Sequence, residues 1–211
     1  MSAHHQIVEH IVLLSVKPDA DSTKVETMIN EVKGLISLNF TLHLSVGKIL
    51  RSTSTSPNFS HIIHCRYRST DDLQAYNQHP EHLSVLKNTQ PLLDDFIVVD
   101  FLSDGSRDSL KPGSAMRVTL LKLKEDLVEH EKGKLVEELK GQFKRTEEIS
   151  VGESLPNEMS KGYSIGVIVV YPDLEAIDSD AELHKSKVQD FIESEMVVDY
   201  VVPLPSAAEQ H

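Results

Sequence analysis

The chain has 211 residues, 39% of them hydrophobic, which is enough for one or two domains with a core. Lys plus Arg is 21 against 33 for Asp plus Glu; the resulting net charge of −12 argues against nucleic acid and anionic membranes as partners, because both are held through cationic side chains. A single cysteine, Cys65, leaves no disulfide framework, and no apolar run is long enough to span a bilayer.

Met1 to His5 has neither the basic nor the apolar character of a signal segment, so the expected location is the cytoplasm. The alternative is a plastid or peroxisome, reached by a targeting segment that has been removed. Ile7 to Lys17 alternates around Val8, His10, Val12, Leu14 and Val16 and predicts a strand. Thr23 and Glu26 read as a capping box for an amphipathic helix over 23–37, with Met28, Val32 and Leu35 on its apolar face. Leu42, Leu44 and Val46 predict a second strand, Arg51 to Asn58 a loop, and Phe59 to Tyr67 a third strand. On that strand His61, Ile63, Cys65 and Tyr67 share one face, and Ile62, His64 and Arg66 the other. A short helix follows from Asp71. It stops at His79, which precedes a proline, and Pro80 opens the next helix. Phe96 to Leu102 predicts a fourth strand.

Ser103 to Ser114 is polar, contains Gly and Pro, and reads as a linker. Beyond it the pattern returns: strand Met116–Lys124, helix Leu127–Phe143, strands Ile149–Leu155 and Tyr163–Tyr171, helix Ala181–Phe191 and strand Met196–Val202. Short motifs return with it. Ser45-Val46-Gly47 answers Ser150-Val151-Gly152, Asp72-Leu73 answers Asp173-Leu174, and Val98-Val99-Asp100-Phe101 answers Val197-Val198-Asp199-Tyr200. The expected organisation is a first domain over 1–103, a linker over 104–114, a second domain over 115–203 and a tail over 204–211. Each copy is a β-α-β-β-α-β unit whose antiparallel sheet has helices on one face, and the two bare faces are expected to cover each other.

Groups able to move protons crowd into Tyr76-Asn77-Gln78-His79-Pro80-Glu81-His82. Together with Val8-Glu9-His10-Ile11-Val12, Ser60-His61-Ile62-Ile63 and Val99-Asp100-Phe101, this string resembles the stress-responsive dimeric α/β-barrel (Dabb) domains, and the tandem form is similar to plant two-domain members. The resemblance implies α+β, ferredoxin-like units closing an intramolecular barrel, a monomer or weak homodimer, stress or defence roles, and antifungal activity in some members. The family includes olivetolic acid cyclase, an enzyme that closes a linear polyketide by aldol condensation without metal or cofactor. Its functional residues fall here on Tyr76, His82, His10 and His61.

Two readings of that cluster stand side by side. In one, the first domain binds a small hydrophobic or polyketide-like molecule, with His79 and Ile63 among the contacts. In the other it is a cofactor-independent cyclase or lyase, with His82 as base and Tyr76 as its partner. A third reading, with the interior filled and a purely structural or antimicrobial role, remains open. No metal site is expected, because His79, Glu81 and His82 are joined by no further ligand at a suitable spacing. In the second copy Arg117 stands for His10, Ile177 for Tyr76, Asp180 for His79 and Leu183 for His82, so any chemistry is expected in the first copy alone.

Overall fold

The structure is a computed structural model, and it describes residues 6–53, 57–127, 129–142, 148–180 and 189–204. The first repeat runs β1 (Ile7–Val16), α1 (Ser22–Gly34), β2 (Thr41–Lys48), β3 (Arg51–Ser52), β4 (His61–Tyr67), α2 (Thr70–Gln78), α3 (Pro80–Thr89) and β5 (Leu93–Ser103). The second runs β6 (Ala115–Leu123), α4 (Glu129–Gln142), β7 (Glu148–Glu153), β8 (Ile165–Tyr171), α5 (Leu174–Asp180) and β9 (Ile192–Val201). Of the helix expected over Ala181–Phe191, residues 181–188 lie outside the described residues, and Gln189–Phe191 is a 3-10 turn. Phe143 and Leu183 also lie outside them.

Helix starts follow local hydrogen-bond chemistry. The α1 cap is not the Thr23–Glu26 box. Asp21 accepts from the amides of Thr23 and Lys24, because its carboxylate sits one position before the first turn. Ser69 caps α2, and His79 caps α3 through Nδ1, which accepts from the Glu81 amide at 3.3 Å. Asn39 closes the turn after α1 in the left-handed region that Asn tolerates.

Both sheets are antiparallel, one in the order β2-β4-β1-β5 and the other β3-β9-β6-β8-β7. The repeat is kept to the residue: Val8 faces Tyr67 and Leu14 faces His61 in one sheet, and Ala115 faces Tyr171 and Leu121 faces Ile165 in the other. The sheets close a barrel around one shared core, with Ile11, Leu13, Val99 and Phe101 from the first repeat meeting Val118, Ile168, Val198 and Tyr200 from the second. Burying each such side chain contributes about 1.5–3 kcal/mol, which is why a fused pair covers its own bare faces.

Two seams complete the barrel. The stretch expected to be a loop from Arg51 contains β3, which pairs with β9: Arg51 faces Asp199, and Leu50 N–H donates to the Asp199 carbonyl at 2.9 Å. The other seam mirrors it, with Leu155 N–H donating to the Asp100 carbonyl at 2.7 Å. A two-residue strand carries no periodicity of its own, and its partner lies in the other repeat.

Candidate functional site

Alternation along β1, β4 and β5 decides which groups meet. Odd residues of β1 and even residues of β4 enter the barrel, so His10, His61, Ile63, Cys65, Tyr67 and Asp100 face the helices instead. On that face Tyr76 from α2 packs into a cluster with Val8, Cys65, Tyr67 and Leu73.

His10, Tyr67, Tyr76 and His82 form a chain of rings. Centroids are 5.9 Å apart for His10 and Tyr67, 5.3 Å for Tyr67 and Tyr76, and 4.4 Å for Tyr76 and His82. The Tyr76 and His82 rings are tilted against each other, with planes 38° apart. The His82 Nδ1–H donates to the Asn77 carbonyl at 3.3 Å, which leaves Nε2 with its lone pair. Partial burial lowers the His82 pKa, and nearby His10 and His79 lower it further against the opposing Asn77 bond. At the other end of the chain, His10 Nδ1–H donates to Asp100 Oδ1 at 2.5 Å. Burial pushes the phenols of Tyr67 and Tyr76 well above their ordinary value. The buried Tyr67 hydroxyl makes no hydrogen bond of good geometry among the described residues.

His61 is not part of this chain. It faces Leu14, four positions along β1 from His10, hence ~13 Å away at the strand rise. Antiparallel pairing puts the start of β4 opposite the end of β1. Between the two histidines lie Val12 and Ile63, a facing pair that stays half-buried. Burial lowers the His61 pKa first, and Lys48 adds to it. The His79 ring is turned to Phe40, 5.9 Å away, while its Nδ1 caps α3. Cys65 is fully buried, and burial pushes its thiol up to about 12, which fits a core residue.

Tyr67 and Asp100 are the members of this site that sequence reasoning passed over. Their signals were present, since Tyr67 alternates with His61 and Ile63, and Asp100 sits in the repeated Val-Val-Asp-aromatic motif. The second repeat keeps the aspartate but not the chain of rings. Arg117 grips Asp199 with two bonds of 2.7 and 2.9 Å, and Ile177, Val167 and Val169 fill the corresponding helix face.

Comparison with known proteins agrees with the repeat. The model of the stress responsive A/B barrel domain, Dabb, matches residues 8–103 and again 116–202. The chain belongs to the Dabb family. Among Dabb relatives, the stress-response A/B barrel domain-containing protein DABB1 of Arabidopsis thaliana is 39% identical over 95% of this chain and 99% of its own length. A second stress-response A/B barrel domain-containing protein of the same plant is 40% identical over 95% of this chain and 81% of its own. In three dimensions the Dabb pair is similar to an anthrone oxidase-like protein, with a TM-score of 0.65, 10% identity and 95% and 92% of the two chains covered. It is also similar to a monooxygenase-like protein of Lactobacillus acidophilus, with a TM-score of 0.60, 14% identity and 93% of each chain covered. At those identities the likeness is one of fold. No helix among the described residues is long and apolar enough to cross a membrane.

Proposed function

We propose that the first repeat binds a small, largely apolar, polyketide-like molecule on the helix face of its sheet, and that this binding serves a stress or defence role. The observation that carries the reading is the half-buried Val12–Ile63 pair, flanked at one end by His10, Tyr67, Tyr76 and His82 and at the other by His61. An apolar floor with a few convergent polar groups is the usual make-up of a small-molecule site.

The second reading, cofactor-independent cyclisation or lyase chemistry, is favoured by one feature: two imidazoles at the two ends of one ring chain, His82 bonded through Nδ1 to a carbonyl and His10 oriented by a carboxylate. His82 Nε2 would take a proton alpha to a carbonyl, and the Tyr67 or Tyr76 hydroxyl would donate to the enolate oxygen.

Calorimetry with linear tetraketide thioesters and alkylphenols tests the first reading. The wild type is expected to bind members of this panel, and Ile63→Trp, which fills the floor, to lose them while keeping its circular dichroism. Binding unchanged in Ile63→Trp overturns the site. Turnover of the thioesters that disappears in His82→Ala supports the catalytic reading, and binding without turnover removes it.

A further inference from the structure

The barrel interior holds a charged cluster that the helix-face site does not use. Glu9, His64 and Arg66 are all fully buried there. Glu9 accepts from His64 Nε2–H at 2.7 Å, from Arg66 Nε–H at 3.1 Å and from the Ser150 hydroxyl of the second repeat at 2.7 Å. Arg66 Nη2 lies 2.8 Å from Glu148.

The strap over 103–110, between β5 and β6, closes this end. Arg66 Nη1 donates to the carbonyls of Ser106 at 3.3 Å and Asp108 at 3.0 Å, and Ser106 N–H donates to Glu148 at 2.9 Å. Lys140 of α4 pairs with Asp104, and the Leu110 side chain joins the barrel core. Gly105 runs so close to the cluster that a Cβ there would stand 2.4 Å from Ser150 Oγ.

His43 of β2 is the remaining tie. Its Nε2–H donates to Ser45 Oγ at 2.9 Å, while Nδ1 accepts both the Ser109 hydroxyl at 2.9 Å and the Leu110 amide at 3.3 Å. Nδ1 is thus an acceptor in two bonds to the strap. A proton placed on it would set N–H against N–H and remove both. The groups acting on the ring are His64, with centroids 5.1 Å apart, then Arg66 and Glu9 of the cluster; Glu148 pairs with Arg66 behind them, and Tyr200 of β9 lies by Ser45.

We propose that His43 is a proton-operated latch on the 103–110 strap: taking up a proton at Nδ1 releases Ser109 and Leu110 and opens the Glu9–His64–Arg66 end of the barrel to solvent. With the strap down, burial, His64 and Arg66 hold His43 at about 2 against the opposing pull of Glu9; with it lifted, the ring meets water and returns toward 6.5. The open state alone then accepts the proton, so the opening equilibrium grows about tenfold for each pH unit below that value.

Amide hydrogen exchange of the full chain, corrected for intrinsic rates, reads this directly. Protection at Ser106 and Leu110 is expected to fall about tenfold per unit from about pH 6.5 to about pH 5, while the β1–β5 ladder keeps its protection. His43→Asn keeps an acceptor near the Nδ1 position but cannot titrate, so its strap protection is expected to fall less steeply with pH than the wild type's, the remainder coming from His64. A flat wild-type profile, or the same slope in His43→Asn, overturns the latch. Should that variant fail to fold, ring titration by NMR on the wild type decides. A His43 ring neutral at about pH 5 while strap exchange accelerates supports the latch, and a ring titrating near 6.5 under a still-protected Leu110 amide refutes it.

Discussion

The ring of Phe101, on the last strand of the first repeat, lies against the bare backbone of Gly166 in the second: a Cβ there would stand 2.3 Å from the ring edge. Gly152, which faces Gly166 across β7 and β8, is equally crowded by Phe101 and by the Leu102 carbonyl. On the opposite seam Tyr200 approaches Gly47 in the same way, its ring edge 3.1 Å from where a Cβ would stand. These contacts explain why the glycine of the Ser-Val-Gly motif and the aromatic that ends the Val-Val-Asp motif recur together.

Gly166→Ala is therefore expected to destabilise the chain by about 1–3 kcal/mol through overpacking, read as a lower urea midpoint at an unchanged slope. Phe101→Ala alone leaves a cavity and is expected to cost about 3–5 kcal/mol. In the double variant the new methyl enters the space the ring vacated, so the two losses should sum to less than their separate values. Strict additivity would mean that the two residues do not share this slot.

How much of this was legible beforehand depends on the range of the signal. Strand alternation and helix spacing are local, so β1, β4 and α1 were readable, and the repeated motifs gave the sister sheet. The β3–β9 seam was not readable, because Arg51-Ser52 is too short to show a period and its partner lies far along the chain. His10, Tyr76 and His82 lie along one chain of rings, since a strand face and a helix break fix them. His61 was displaced to the far side of Val12–Ile63 by the antiparallel register, which residue type alone does not reveal. His64 and Arg66 were visible together on one strand face, but Ser150, which bonds Glu9, and Glu148, which pairs with Arg66, come from the other repeat.

The interior cluster makes stability fall in acid. Burial alone would raise the Glu9 carboxyl, but His64, Arg66 and Ser150 together hold it at about 2, against 4.5 for a free side chain. Its contribution is thus present above 4.5 and is lost as pH falls toward 2, in all about 3 kcal/mol. Glu9→Gln is expected to remove this low-pH loss. At neutral pH the same change leaves Arg66 with Glu148 and the strap carbonyls but without the fully buried carboxylate, and is expected to cost about 1–3 kcal/mol. Urea titrations of both proteins from about pH 7 to about pH 3 check it; parallel curves would assign the acid loss elsewhere.

His79 separates a capping role from a ligand role. Its Nδ1 accepts the Glu81 amide at the start of α3, so His79→Ala is expected to cost about 1 kcal/mol and His79→Ser, a better cap, to restore the loss. Thermal unfolding reads the pair. If tetraketide or alkylphenol binding survives in His79→Ser, the ring contributes a helix end and not a contact. Binding lost in the serine variant at full stability would make it part of the site.

Asp100 acts on the proposed site through His10. The carboxylate accepts from Nδ1–H and so fixes the orientation of a ring that meets Tyr67 edge to face, with centroids 5.9 Å apart. In Asp100→Asn the amide can present either an oxygen or an NH₂ to the ring, and the tautomer is no longer fixed. If the ligand is anchored by an oxygen near His10 and Tyr67, its affinity should fall about 10-fold, or about 1.4 kcal/mol, while the fold is kept. Two-dimensional ¹⁵N spectra of the ring distinguish the causes, because a merely structural role would leave His10 in its Nδ1–H form. A changed tautomer with unchanged affinity would show that His10 does not touch the bound molecule.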